Sequence, residues 1–328
     1  MYSDRSSQFS IAGFLVILLV ALAIAAPRFF DPRNLGDLGT TTAIAAIVGL
    51  GALFVIVTGN IDVSAGAIYG ASAVVAALAA NAGLPTPLVI VVAVATGAAL
   101  GLVNAVLVTL LKLPSIIATL GTSSLFTGGL IAITQGGLWV VGLPDGFTWL
   151  GQGSLLGVSV PIVVAVCVLA IGAFALARTR FGRRFYAVGS NPEAARLAGI
   201  RSRAVEGSAF VINGALLALA ATLTAARLGQ AQNNIGASIT IAAITIAVVA
   251  GTSVFGGTGT VLGIVLAAML VQTTTSALTF FHLDPLWAQM TQGLLILAAL
   301  ILSVVQRRRS GLGLVPRLLR RKEAVDAR

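Results

Sequence analysis

From Val63 to Leu111 the chain runs 49 residues without an Asp, Glu, Lys or Arg. A bilayer core takes about 20 helical residues per pass, so this stretch holds two passes and could not form a solvated surface. A second such run lies between Arg227 and Asp284, where His282 is the only titratable side chain. Charged residues make up 9% of the chain, and mean hydropathy is +1.03. A soluble domain carries about 25% charge. A soluble enzyme is thereby excluded. The apolar runs are continuous rather than alternating, which excludes a membrane β-barrel. The chain reads as an all-α polytopic membrane protein.

Turn residues and charges divide it into about ten spans, some short or broken. They cover 9–26, 42–57, 63–80, 88–111, 115–134, 160–177, 207–226, 239–251, 260–277 and 286–305. The first is a retained span, because Ala25-Ala26-Pro27 lacks a clear cleavage pattern. The polar, Gly-rich segment 135–159 is the longest loop and could carry a short interfacial helix. Fifteen of the 20 basic residues fall in two stretches, Arg178–Arg203 and Arg307–Arg328. Basic loops stay inside, so both stretches are expected to be cytoplasmic. Four spans separate them and six precede the first, which puts both termini in the cytoplasm. Arg28, Arg33 and Arg227 then fall outside and run mildly against the scheme. The whole of 1–328 is read as a single transmembrane domain, with a cytoplasmic loop at about 178–206 and a basic tail at 307–328. Inside-positive anchoring accounts for the net charge of +10 without any nucleic acid.

Small counts narrow the chemistry. The two lysines, Lys112 and Lys322, follow Leu111 and Arg321, whereas a phosphate-binding P-loop needs Gly before its Lys. One histidine and one cysteine (Cys167, in an apolar run) give no paired-His metal site and no intrachain disulfide. Cys167 reads as a packing or lipid-facing residue. No nucleophile–base pair or metal cluster can be assembled, so the chain is not expected to be an enzyme. Any ATP hydrolysis would belong to another chain.

Three segments interrupt the apolar pattern. In 58–66, Asn60, Asp62, Ser64 and two glycines break an otherwise apolar stretch. An acid at membrane depth is a candidate functional residue; it could equally cap the third helix by accepting from the amide of Ser64 or Ala65. In 251–260, Gly251, Thr252, Ser253, Gly256 and Gly257 form a Gly-rich break, read as a re-entrant turn. Two breaks in corresponding halves of a chain point to a transporter's midplane pathway. In 179–200, Asn191 is a good N-cap, with Pro192 in the first helical position and Glu193 in the first turn. Ala194, Ala195, Leu197 and Ala198 sustain a short helix that Gly199 ends. It could be a mere connector, or an Ala-Ala-x-x-Leu-Ala face could enter a partner's groove. Gly66-x-x-x-Gly70 and Gly97-x-x-x-Gly101 read as close-packing positions. Polarity alone nominates Asn60, Asp62, Ser64, Asn104, Thr119 and Gln135 as translocation-path candidates, since neutral hydrogen-bonding groups suit hydroxyls.

Glu193-Ala194-Ala195 followed by Gly199 resembles the coupling-loop signature of ABC importer permeases. Beside it stand Thr179-Arg180-Phe181-Gly182-Arg183, Ala187-Val188-Gly189-Ser190-Asn191, Gly59-Asn60-Ile61-Asp62-Val63-Ser64 and Pro114-Ser115-Ile116-Ile117-Ala118-Thr119-Leu120-Gly121. With Gly251-Thr252-Ser253 and Phe255-Gly256-Gly257-Thr258-Gly259 in order behind them, the chain resembles monosaccharide permeases of the ribose/xylose/arabinose type over about 31–305. It departs from that group at Thr240 and Ala242, where acids often stand, and at Ala250-Gly251 in place of Gly-Gly. The resemblance implies a permease in the bacterial inner membrane that pairs with itself or a paralogue. It implies two ATPase subunits that bind ATP and Mg and grip the loop around Asn191–Gly199. It also implies a periplasmic or lipid-anchored sugar-binding protein. Ribose, rhamnose and the autoinducer-2 sugar derivative all remain open as cargo. The alternative is an ion-coupled secondary transporter of a small polar solute, for which Asp62 is the one acid near a span centre. A channel would want a repeated filter or a charged ring, and none appears.

Overall fold

The computed structural model describes residues 5–134, 136, 139–281 and seven positions between 287 and 297. Gln135, the basic tail 307–328 and most of the tenth expected span lie outside the described residues. In chain order the elements are α1 (Arg5–Ala25), α2 (Pro32–Val57), α3 (Ala65–Asn81), α4 (Thr86–Ala105, continued by a π turn over Val106–Leu110), α5 (Ser115–Ile133), β1 (Trp139–Val140) and α6 (Asp145–Gln152). There follow β2 (Ser154–Leu155), β3 (Val158–Ser159), α7 (Val160–Arg178), α8 (Arg180–Ser190), α9 (Pro192–Leu197), α10 (Ser202–Leu228), β4 (Ala231–Gln232), α11 (Ile239–Val249) and α12 (Val261–Phe280).

Among the described residues, seven helices are long and apolar enough to cross a membrane: α1, α2, α4, α5, α7, α10 and α12. The apolar helices α3 and α11 are shorter. Nine of the expected spans thus coincide with helices, with shifted ends. The largest shift is in α2, which starts at Pro32 rather than near 42. Proline at a first helical position is preorganised for the helix and loses no hydrogen bond there. The polar residues that follow it sit at the bundle's end, where Asp37 pairs with Arg227 of α10 at 3.1 Å.

The bundle closes around α2 and α10. α2 is buried along most of its length, from Ala43 to Val57. α10 packs on α2, α3 and α4. In lipid, apolar surface gives helices no driving force to associate, so small residues that admit close approach carry the packing. Gly97 and Gly101 of α4 do this against α10. A Cβ on Gly97 would lie 2.2 Å from the Gly214 carbonyl oxygen, and one on Gly214 would lie 2.1 Å from that of Gly97.

The loop after α5 contains the expected short helix, α6, which buries Phe147 and abuts the end of α10. β1 pairs antiparallel with β4, so this loop is laced to the segment after α10. Residues 180–190, expected as an irregular basic loop, form the helix α8. Its N-cap Thr179 accepts from the amide of Gly182 at 3.0 Å, and Phe185 packs edge-on to both Phe54 and Phe181. The cysteine Cys167 is exposed on α7.

Candidate functional site: two half-helices and a coupling segment

The chain leaves α2 at Thr58 and re-enters helix at Ala65, so seven residues of irregular backbone cross the bundle interior. Asp62 organises them. Its Oδ1 accepts from the Ser64 amide at 2.9 Å and from the Ser64 hydroxyl at 2.6 Å. Its Oδ2 accepts from Asn213 Nδ2 of α10 at 2.8 Å. Asn104 of α4 donates to Ser64 Oγ at 2.7 Å and accepts from Thr122 of α5 at 2.6 Å. Thr119 Oγ1 accepts from the Val63 amide at 3.0 Å, and Ser115 Oγ accepts from that of Ile61 at 3.2 Å. Such polar backbone survives inside an apolar bundle only when its donors and acceptors are paired. The network pairs them and ties α3, α4, α5 and α10 to one point.

Asp62 accepts from the Ser64 amide, as the capping reading required, but the capping position of α3 is Ser64 itself and no side chain caps the helix, so Asp62 holds the turn just ahead of it. Ser64, Asn104 and Thr119 are fully enclosed. They form a satisfied network rather than the wall of a cavity. Asn60 stands apart and donates to Thr58 Oγ1 at 3.1 Å. Asn213 and Thr122 complete the network and were missed by the sequence reading. Thr122 is one of several hydroxyls along α5, and Asn213 sits in the apolar middle of α10; only the fold shows what each faces.

The break touches the Gly-rich turn at its first residues, where a Cβ on Gly256 would lie 2.9 Å from the Gly59 amide nitrogen, but its inner end has another partner. The segment 229–238 descends from the end of α10 to the start of α11, and there it meets α3. The Gly66 amide donates to Thr240 Oγ1 at 2.8 Å, and Thr240 in turn donates to the Val63 carbonyl at 3.2 Å. A Cβ on Gly66 would lie 2.3 Å from the Gly236 carbonyl oxygen. Two short helices thus begin beside one another in the bundle interior and run to opposite ends. Their first amides and positive dipole ends face the junction. Thr240, noted for standing where acids are common, is the hinge pin of this junction.

A cavity of about 360 Å³ opens at the junction, walled by α3, α5 and the 233–240 segment. Its polar lining is Ser123, Thr127, Asn233, Asn234 and Thr240, with Leu130 and Ile131 as apolar wall. No lining side chain carries a charge. Ser123 and Thr127 are four residues apart on one face of α5, and that spacing is the signal by which they could have been found. Among the described residues no group of three or more His, Cys, Asp or Glu could hold a metal ion.

The Gly-rich segment lies at the Arg-rich end of the bundle, where it joins α11 to α12 instead of entering the interior. Gly251, Gly256 and Gly257 all have φ near +80° (+79°, +87° and +83°), a conformation that glycine adopts without strain. Ser253 donates its amide to the Thr258 carbonyl at 3.2 Å, which closes the turn. Thr252 is buried beneath it. The Gly257 amide donates to the Val57 carbonyl at the end of α2 at 2.8 Å. A Cβ on Gly257 would come 2.5 Å from Ser190 Oγ, and one on Gly189 1.8 Å from the Val57 oxygen. Tyr186 of α8 donates to the Gly259 carbonyl at 2.9 Å. The end of α8, the end of α2 and the glycine turn are therefore stacked backbone to backbone.

α9 projects beyond this stack. Asn191 caps it, accepting from the amides of Glu193 and Ala194, both at 3.1 Å. Gly199, at φ +78°, turns the chain back, and the Ile200 amide returns to the Ala195 carbonyl at 3.0 Å. Glu193 and Arg196 form an exposed pair at 3.8 Å, where solvent makes such a pair worth little. The expected Ala-Ala-x-x-Leu-Ala face is divided. Ala195 is buried against the body, whereas Ala194 and Ala198 are exposed and Leu197 is 82% exposed.

Comparison with known proteins gives the family. Residues 34–300 match the family described as "Branched-chain amino acid transport system / permease component". The autoinducer 2 import system permease protein LsrC of Enterobacter sp. (strain 638) is 38% identical over 295 residues, covering 89% of this chain and 85% of LsrC. LsrC of Escherichia coli (strain K12 / DH10B) is 37% identical over 290 residues, 87% of this chain and 84% of its own. LsrC of Klebsiella pneumoniae is 37% identical over 298 residues, 91% and 86% respectively. No solved structure matches the chain. The chain belongs to this permease family: it is a multi-pass inner-membrane permease subunit of an ABC importer, of the sugar-permease kind its motifs resemble, and not itself an enzyme.

Proposed function

We propose that the chain forms half of the path by which a small neutral sugar or sugar derivative enters the cell, and that the cavity between α3, α5 and residues 233–240 is its substrate station. The observation that carries this reading is the junction of two half-helix starts at a cavity lined by hydroxyl and amide groups and no charge. Paired half-helices at mid-bundle are how transporters expose polar backbone to a substrate, and neutral donors and acceptors suit hydroxyls. The LsrC relatives are autoinducer 2 import permeases, which favours a sugar derivative over the amino acids in the family description. In this reading the Arg-rich end faces the cytoplasm, which places the cavity on the outer side of the Asp62 network.

A second permease chain, a copy or a paralogue, completes the path. The face of α5 that carries Ile117, Leu120 and Leu125 is exposed in the single chain and is the natural surface for it. Partner ATPases, holding ATP and Mg, seat α9 and its Leu197. A binding protein delivers the cargo from outside. Closure of the ATPases pushes on α9, and the stack of Gly189, Val57 and Gly257 passes the displacement to α2, α11 and α12. Differential affinity of the two resulting conformations is all the permease contributes.

An ion-coupled mechanism would need an acid within reach of the path. Asp62 is instead enclosed and saturated with donors. The test is uptake by proteoliposomes that contain the chain, its ATPase and its binding protein. Accumulation of labelled sugar that requires ATP and survives a proton uncoupler supports the reading. Accumulation that ignores ATP and collapses with the uncoupler overturns it.

A further inference from the structure

A second cavity is larger than the one assigned to substrate. A groove of about 1110 Å³ runs between the last turns of α4 and the first turns of α10, at the Arg-rich end beside α9. Its walls are apolar: Leu102, Val106 and Leu110 on one side and Val211 on the other. Leu102 and Leu110 are more than half exposed. The π turn that ends α4 supplies part of this wall, and Gly207 of α10 lines the groove where the two helices meet. Wide turns of this kind recur at functional sites.

The head of the groove is cationic. Arg201 and Arg203 flank the start of α10, both exposed, and no side chain caps that helix. Arg196 also lines the groove, but Glu193 partly answers it. Glu206 follows Arg203 by one turn and answers some of its charge. The balance remains positive, with the partial positive charge of a 27-residue helix added to it. The groove therefore combines apolar walls, within the span of two membrane helices, with an arginine pair at their basic rim.

We propose that this groove seats one anionic phospholipid, with its phosphate against Arg201 and Arg203 and its upper acyl methylenes along Leu102, Val106 and Val211. Charge complementarity selects the headgroup, because cationic pockets between helix ends at the inner leaflet favour anionic lipid. The apolar walls select a lipid over a free anion. The seat adjoins α9, so the bound lipid braces the coupling helix from the membrane side. That last point rests on the orientation proposed above; the binding itself does not.

The test is native mass spectrometry of the full-length chain, taken from bilayers of equal phosphatidylglycerol and phosphatidylethanolamine. The wild type should retain phosphatidylglycerol over phosphatidylethanolamine by roughly tenfold, the scale of one to two surface cations. The double variant Arg201→Gln/Arg203→Gln should lose this preference. Ala204→Trp, at an exposed position on the groove wall, should lose the bound lipid while the helical circular dichroism is unchanged. Equal retention of the two lipids by the wild type, or a preference that survives both variants, would overturn the proposal. So would displacement of the lipid when the ATPase subunit binds, because the groove would then belong to that protein. None of these readouts depends on transport.

Discussion

The Gly66 amide, one residue into α3, donates to the hydroxyl of Thr240, one residue into α11, at 2.8 Å across 174 positions of sequence. This bond joins two helices that each begin inside the bundle, and the Thr240 hydroxyl completes the pairing by donating to Val63. Thr240→Val keeps the shape and removes both bonds. It should destabilise the protein by about 1–3 kcal/mol, as expected for a buried donor left unpaired. Thr240→Ser should remain near wild type. Thermal denaturation in detergent, read alongside uptake, checks the pair, and equal melting of all three proteins would show that the bond holds nothing.

Asn213 of α10 donates a hydrogen bond to the Asp62 carboxylate at 2.8 Å. Asn213→Leu leaves that oxygen without its donor and should cost about 1–3 kcal/mol, as expected for a buried acceptor left unpaired. Adding Asp62→Asn should recover part of the loss, because the two positions form one network and cannot act additively. Strict additivity in a double-mutant cycle would show that the two residues do not interact.

At the other end, Gly199 holds φ +78° at the close of α9, and a Cβ there would meet nothing within 4 Å. Gly199→Val is therefore a test of backbone conformation alone. It should unwind the end of α9 and weaken ATPase co-purification, with little change in the melting of the membrane domain. Leu197→Asp should do the same by removing the exposed apolar contact. Full ATPase recovery with both variants would remove α9 from the interface.

Gly189 tests transmission rather than docking. A Cβ at this position would fall 1.8 Å from the Val57 carbonyl oxygen and 2.6 Å from the Gly257 amide nitrogen, and backbone cannot yield as a side-chain tip can. Gly189→Ala should leave the ATPase bound and able to hydrolyse ATP while uptake falls by an order of magnitude or more. Hydrolysis and uptake measured on the same proteoliposomes separate the two, and uptake at the wild-type ratio to hydrolysis would contradict the role of this stack.

The spans were legible because lipid imposes a length and an apolar composition that any window along the chain reveals. The α9 caps were legible for a similar reason, since Asn191, Pro192 and Gly199 act within a few residues of one another. α8 was missed because its arginines resemble an anchoring loop until Phe185 is seen to pack on Phe54. The junction between the Asp62 break and the start of α11 was not legible, because glycine content draws attention to 251–259 instead. The true contact is a single threonine in an apolar run. The polarity guess assembled Asp62, Ser64, Asn104 and Thr119 into one network but could not separate a paired interior from a cavity wall. Ser123, Thr127 and the two asparagines at 233 and 234 line the cavity; the four-residue spacing puts the first two on one face of α5, but nothing local tells a cavity face from a packing face.

The most direct test of the proposed path is substrate protection of a thiol in the cavity. With Cys167, the one native cysteine, replaced by Ser, Thr127→Cys places a thiol on the α5 wall of the cavity. In reconstituted, transport-active complexes, a small water-soluble maleimide should label this thiol, and the transported sugar should slow the labelling. Labelling at the same rate with and without sugar, in complexes that still accumulate it, would contradict the claim that the substrate passes between α3, α5 and residues 233–240.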